Sequence, residues 1–124
     1  MAVKILIVED DNALQEMYDL KFKQNAWQVE RAFSAEEGWQ KILEEKFSLI
    51  LLDIILPEMD GFNLLKNIKQ INNPNQVVPV ILLTNLGDKA SVKKGEELGV
   101  ENYLIKAHFS PQEVVDKIKE VLFL

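Results

Sequence analysis

The chain has no cysteine, which excludes disulfides and thiolate metal sites and removes one mark of secretion. No apolar run approaches the ~18 residues of a helical membrane span. No glycine-rich loop leads into Lys-Ser or Lys-Thr, so a P-loop nucleotide site is excluded. Histidine occurs once, as His108, and reads as a surface-loop residue. Basic residues are the minority, 14 against 20 acidic, for a net charge of −6. This balance argues against nucleic acid as a direct partner. The lysines at Lys93-Lys94 and Lys117-Ile118-Lys119 alternate with Glu96, Glu97, Asp116 and Glu120, the pattern of a solvated helix surface and not of a phosphate track. A strand begins directly after Met1-Ala2 with no leader pattern before it, and a cytoplasmic protein is expected. There are no internal repeats, low-complexity segments or linkers. Gly95 and Gly99 have small-xxx-small spacing, which carries little meaning outside a membrane.

The 124 residues are 48% hydrophobic. That suits one domain over residues 1–124, with about two-thirds of the unfolded chain's surface buried. Strand-like and helical patterns alternate from end to end, which predicts a parallel sheet with helices on both faces. The apolar runs at 3–8, 49–52 and 80–83 are nearly continuous, as in strands buried on two sides. Gln28–Phe33 is more polar and reads as an edge strand, and Tyr103–Ile105 completes a set of five strands with five helices. Asn12 with Gln15, and Ser34 with Glu37, have the spacing of capping boxes, and Ser110-Pro111 places proline at a first helical position. The first helix repeats apolar residues at Leu14, Met17, Tyr18 and Phe22. The last does so at Val114, Val115, Ile118, Val121 and Leu122. Trp27 and Trp39 read as packing residues. The helix near 88–98 is the weak one: its apolar residues are Ala90, Val92 and Leu98, and Gly95 costs it about 1 kcal/mol relative to alanine. Such an element is either a marginal surface helix or one with little to lose by moving.

Polar residues stand at four strand ends. Asp53 follows Leu49-Ile50-Leu51-Leu52, Glu9-Asp10-Asp11 follow the first strand, Thr84 follows Val80-Ile81-Leu82-Leu83, and Lys106 follows Tyr103-Leu104-Ile105. Open α/β sheets gather their ligands at the carboxyl ends of strands. Glu9, Asp10 and Asp53 at one rim would repel one another unless neutralised. A hard divalent cation such as Mg²⁺ takes one or two carboxylates and keeps positions for waters and phosphate oxygens. It also neutralises an incoming phosphoryl group, so that a carboxylate can act as nucleophile. Lys106 adds a fixed positive charge. At 4 Å and an effective dielectric near 20, its pairing with a carboxylate is worth roughly 4 kcal/mol before desolvation. The Thr84 hydroxyl offers a hydrogen bond to a phosphoryl oxygen. Asp11 is read as a helix N-terminal charge favoured by the dipole.

Over its whole length the chain resembles the receiver domain of two-component response regulators. The resemblance is carried by Ile5-Leu6-Ile7-Val8-Glu9-Asp10-Asp11, Leu52-Asp53-Ile54-Ile55-Leu56-Pro57-Glu58-Met59-Asp60-Gly61, Leu83-Thr84 and Gly99-Val100-Glu101-Asn102-Tyr103-Leu104-Ile105-Lys106. It implies a flavodoxin-like five-stranded parallel sheet of order 2-1-3-4-5. It also implies a signalling switch that takes a phosphoryl group onto Asp53 from a sensor histidine kinase or histidine phosphotransfer protein. Mg²⁺ would be held by Glu9, Asp10, Asp53 and the backbone carbonyl of Ile55, and Thr84 and Lys106 would grip the phosphoryl oxygens. Thr84 would couple to Tyr103 and to the surface of the last two helices, changing contacts with a downstream protein or a phosphorylation-dependent dimer. The chain would assist its own phosphorylation and slow dephosphorylation without being a turnover enzyme. No output domain lies within these residues, so a stand-alone regulator is expected, with a receiver cut from a longer protein as the alternative that the sequence leaves open. A single histidine leaves no built-in phosphohistidine relay.

Four positions depart from the family pattern. Asn85 stands where a small residue usually follows the threonine, either narrowing access to Asp53 or adding a hydrogen bond to the phosphoryl group. Ile55 and Leu86, each two residues beyond Asp53 and Thr84, are apolar and cannot orient an attacking water, so slow self-dephosphorylation is expected. Lys106-Ala107 replaces Lys-Pro in a segment one residue longer, with a trans bond expected because a cis bond to a non-proline residue costs ~2.5–4 kcal/mol. Asn102 replaces an acid before the tyrosine, against any dimer that needs an acid there. The alternative function is a pseudo-receiver, an interaction module independent of phosphorylation. A phosphatase with an aspartate nucleophile would want a second acid at Ile55. A flavin carrier would want a phosphate-cradling loop where Glu9-Asp10-Asp11 stand.

Overall fold

The computed structural model describes residues 2–124. The chain runs β1 (Lys4–Val8), α1 (Asn12–Lys23), β2 (Gln28–Ala32), α2 (Ala35–Glu44), β3 (Leu49–Leu52), α3 (Gly61–Gln70), β4 (Val80–Thr84), α4 (Lys89–Glu97), β5 (Asn102–Ile105), a 3₁₀ turn (Lys106–His108) and α5 (Pro111–Leu122). The strands form one parallel sheet in the order β2-β1-β3-β4-β5, as expected for a flavodoxin-like fold. Alternate residues of each central strand face opposite cores, as the two-residue strand period demands. Leu6, Val8, Ile50, Leu52, Val80 and Leu82 pack with α2 and α3. Ile5, Ile7, Leu49, Leu51, Ile81 and Leu83 pack with α1 and α5. No helix among the described residues is long and apolar enough to cross a membrane.

Strand register builds the rim. Val8 pairs with both Ala32 and Leu52, and Leu52 pairs with Leu82, so Glu9 and Asp53 leave the sheet side by side. Past Asp53 the chain turns through residues 53–60 into α3 under a tight constraint. A Cβ on Gly61 would lie 2.3 Å from the Ile54 Cα and 2.7 Å from the Asp53 carbonyl oxygen. Only glycine lets α3 start this close beneath the acid.

Two expectations about α1 are corrected. Its N-cap is Asp11, whose carboxylate accepts from the Leu14 amide, and not Asn12 paired with Gln15. Its buried stripe is Gln15, Tyr18, Asp19 and Phe22, while Met17 is 36% exposed. Tyr18 and Phe22 are in the core and Leu14 packs against it as expected, but Met17 is displaced from the buried face by Gln15 and Asp19, which go inward with partners of their own. Ser34 caps α2, but the Glu37 carboxylate accepts from Phe33 and not from Ser34, so the box is half formed. At α5 the full box is present, with Pro111 at its first turn.

Candidate functional site

Asp53 and Glu9 are each 5% exposed, and Thr84 is fully buried. Lys106 lies across the two acids, with its Nζ 2.5 Å from Glu9 Oε1 and 2.7 Å from Asp53 Oδ2. The other Asp53 oxygen accepts from the Ile55 amide at 3.0 Å, and Glu9 Oε2 accepts from the Asp11 amide at 3.1 Å. Asp10 is exposed beside them. One carboxylate oxygen each from Glu9, Asp10 and Asp53 lie within 4.8 Å of one another. Three hard oxygen donors gathered at a rim, two of them buried, fit a small divalent cation with open positions.

Charge follows this geometry. Burial pushes the Glu9 carboxyl above its ordinary value of 4.5, against the lowering pull of its hydrogen bond from Lys106. Burial alone would lower the Lys106 ammonium, but its bonds to Asp53 and Glu9 outweigh that and hold it above 10.5. The lysine is therefore a permanent cation at neutral pH. It balances one of the two buried carboxylates and leaves net negative charge for a metal to offset.

Thr84 and Tyr103 meet through a single residue. The Leu86 amide donates to Thr84 Oγ1 at 3.3 Å, and the Leu86 carbonyl accepts from the Tyr103 hydroxyl. Burial raises the Tyr103 phenol, aided by the charges of Asp88 and Asp53, so it stays a donor at neutral pH. Tyr103 also packs against α4, where a Cβ on Gly95 would come within 2.8 Å of its ring. Gly95 is the one buried residue of α4, so the glycine that weakens the helix is the one that admits the tyrosine.

The departures have definite places. The Asn85 side chain is exposed and makes no hydrogen bond among the described residues. Ile55 is 52% exposed, and Leu86 packs at the edge of the α2–α3 core. No cis peptide occurs among the described residues, and Lys106-Ala107-His108 form the 3₁₀ turn that leads to α5. His108 is exposed.

The sequence reading missed two fully buried polar residues, Gln15 and Asn75. Gln15 donates to the carbonyls of Ile7, Glu9 and Ala32. Asn75 ties the α3–β4 loop to Ile42, Glu45 and Phe47. Gln15 shares i, i+3, i+4, i+7 spacing with Tyr18, Asp19 and Phe22, but two of the four are polar, so the spacing alone did not mark it as buried. Asn75 lies in a loop of asparagines and gave no signal.

Comparison with known proteins agrees with this geometry. The family model of the response regulator receiver domain matches residues 5–119. The chain belongs to that family. It is 30% identical over 122 residues to the transcriptional regulatory protein SrrA of Staphylococcus aureus, covering 98% of this chain and 48% of SrrA. The chain thus spans about half the length of the curated relatives it matches. A CheY-like receiver domain protein from Methanospirillum hungatei superposes with a TM-score of 0.91 at 31% identity, over 99% of this chain and 95% of that one. The BeF3-activated receiver domain of DrrB, a Thermotoga maritima protein, does so at 0.86 and 31%, with both chains fully covered.

Proposed function

We propose that the chain is a phosphoryl-accepting switch whose acceptor is Asp53. The observation that carries this reading is the contact of Lys106 with both Asp53 and Glu9, beside Asp10. It brings a buried carboxylate, two neighbouring acids and a fixed cation to one rim. A carboxylate oxygen of Asp53 attacks phosphorus in a partner's phosphohistidine. The P–N bond breaks, its electron pair leaves with the imidazole nitrogen, and an acyl phosphate forms. Glu9, Asp10, Asp53 and the Ile55 carbonyl would hold Mg²⁺. The ion supplies positive charge that offsets the acids and the incoming phosphoryl oxygens. Lys106 keeps its charge throughout and pairs with a phosphoryl oxygen once Asp53 is esterified.

The switch reading rests on Leu86. Drawing the Thr84 hydroxyl toward a phosphoryl oxygen takes the acceptor from the Leu86 amide and loosens the loop that the Tyr103 hydroxyl holds by its carbonyl. Two bonds on one residue couple the acceptor pocket to the α4–β5 surface. That surface then presents different side chains to a downstream protein. The chain serves as acceptor and relay, without turnover on an external substrate.

Beryllofluoride, a tetrahedral stand-in for a phosphoryl group, tests the reading. With Mg²⁺ present, ¹⁹F NMR of the parent is expected to show bound fluoride resonances that are absent in Asp53→Asn. Identical spectra for parent and variant would contradict it.

A further inference from the structure

We propose that Gln15 is a positioning residue of the acid pocket: its carboxamide fixes the turn that presents Glu9 and Asp10 to a divalent cation. The inference rests on the metal-binding reading above and adds a residue to it.

Gln15 lies on the buried face of α1 and is fully enclosed. Its Nε2 is 3.1 Å from the Ile7 carbonyl, 3.0 Å from that of Glu9 and 2.7 Å from that of Ala32. Two N–H groups thus serve three acceptors at the ends of β1 and β2. The amide orientation is fixed by chemistry, because the reverse would set Oε1 against three carbonyl oxygens. Oε1 itself is buried and has no partner among the described residues. A side chain present only to fill this space would do better as methionine or leucine, with no orphaned acceptor. The donors are what this position supplies.

Those donors act at the start of the acidic turn, where the chain leaves β1. The Gln15 side chain holds the Glu9 carbonyl, and its backbone amide donates to the Asp11 carbonyl at 3.0 Å. The Glu9 amide in turn donates to the Ala32 carbonyl at 3.0 Å, so the edge strand is drawn into the same knot. Within the turn, Asp11 is occupied with the Leu14 amide and Glu9 with Lys106 and the Asp11 amide. Asp10 alone of the three acids has no hydrogen bond or ion pair among the described residues. With the Glu9–Asp10 peptide anchored by the Gln15 carboxamide and the Asp11 amide held by the Glu9 carboxylate, the Asp10 carboxylate stays directed at the rim beside Glu9 and Asp53. Groups that orient metal ligands without touching the metal commonly carry about 10–100-fold in metal affinity.

Isothermal titration calorimetry with Mg²⁺ tests this on the parent, Gln15→Met and Ile42→Val. The last variant trims a fully buried residue of α2, in the core on the face of the sheet opposite α1. Mg²⁺ affinity is expected to fall about tenfold or more in Gln15→Met and to stay within twofold of the parent in Ile42→Val, although both lose thermal stability. If circular dichroism shows Gln15→Met unfolded, Gln15→Asn replaces it under the same criterion, since its amide falls one methylene short of the carbonyls. Parent-like affinity in the folded position-15 variant overturns the inference while leaving the metal site standing. An equal loss in Ile42→Val also overturns it, because the effect would then be general loosening. No Mg²⁺ binding by the parent overturns the metal-site reading and the inference together.

Discussion

The site's residues work through charge held at low solvent exposure. Glu9 illustrates the cost. Burial lifts its carboxyl above 4.5 in the fold, so its contribution to stability is present below that pH and is lost as pH rises through the folded value. In metal-free protein, Glu9→Gln escapes this loss. The thermal midpoint of the variant relative to the parent is therefore expected to be higher near pH 7 than near pH 4. A relative midpoint that falls between those pH values would contradict the assignment. Lys106 has the complementary behaviour: its stabilising pairs persist below 10.5 and are lost only as pH rises through its higher folded value. At Ile55, an exposed apolar side chain beside Asp53 leaves water without an orienting partner. Ile55→Asn is expected to shorten the acyl-phosphate lifetime, by up to about 10²-fold, in a decay assay of phosphorylated protein. A longer lifetime in the variant would count against it. Glu9, Asp10, Asp53, Thr84 and Lys106 were legible because ionisable or hydroxyl residues interrupt apolar strands at the same end. Gln15 was not, because glutamine three residues after Asn12 matches a capping pattern. Its true partners, at Ile7, Glu9 and Ala32, are set by how α1 packs and not by local spacing.

Elements were legible wherever one apolar face decides the packing. The five strands, the sheet's parallel sense and the polar edge strand β2 all follow from residue type and the length of apolar runs. The burial of α1 was read correctly at Leu14, Tyr18 and Phe22 but not at Met17, which faces out while Gln15 and Asp19 face in. Hydrophobicity alone cannot report a stripe that is half polar. At α4 the pattern was read correctly as weak, but the reason for Gly95 lay in another element. It is the place where the Tyr103 ring comes against the helix. Gly95→Ala adds about 1 kcal/mol of helix propensity but forces a methyl into a contact of 2.8 Å, an overpacking that costs about 1–3 kcal/mol. Urea denaturation is expected to show no gain, or a loss of up to about 2 kcal/mol. A clear stabilisation would mean that Tyr103 does not rest on this helix as described.

At the scale of the whole molecule, the topology makes the site. A parallel sheet sends every strand's carboxyl end to one rim, so residues as far apart in sequence as Glu9 and Lys106 meet at 2.5 Å. The register β1–β3 sets Glu9 beside Asp53, and helices of both faces start at that rim with capped N-termini. The fold class could be argued from alternating periods. The strand order came from resemblance to a family, because periodicity does not say which parallel strands are neighbours. The central claim is that this rim accepts a phosphoryl group on Asp53 with the help of a divalent cation. The most direct test is intact-mass analysis after incubation with a small-molecule phosphoryl donor, with and without Mg²⁺, on the parent and Asp53→Asn. The predicted result is a single phosphoryl adduct on the parent that requires Mg²⁺ and is missing from the variant. An adduct that survives Asp53→Asn, or a folded parent that takes none across several donors, would contradict it.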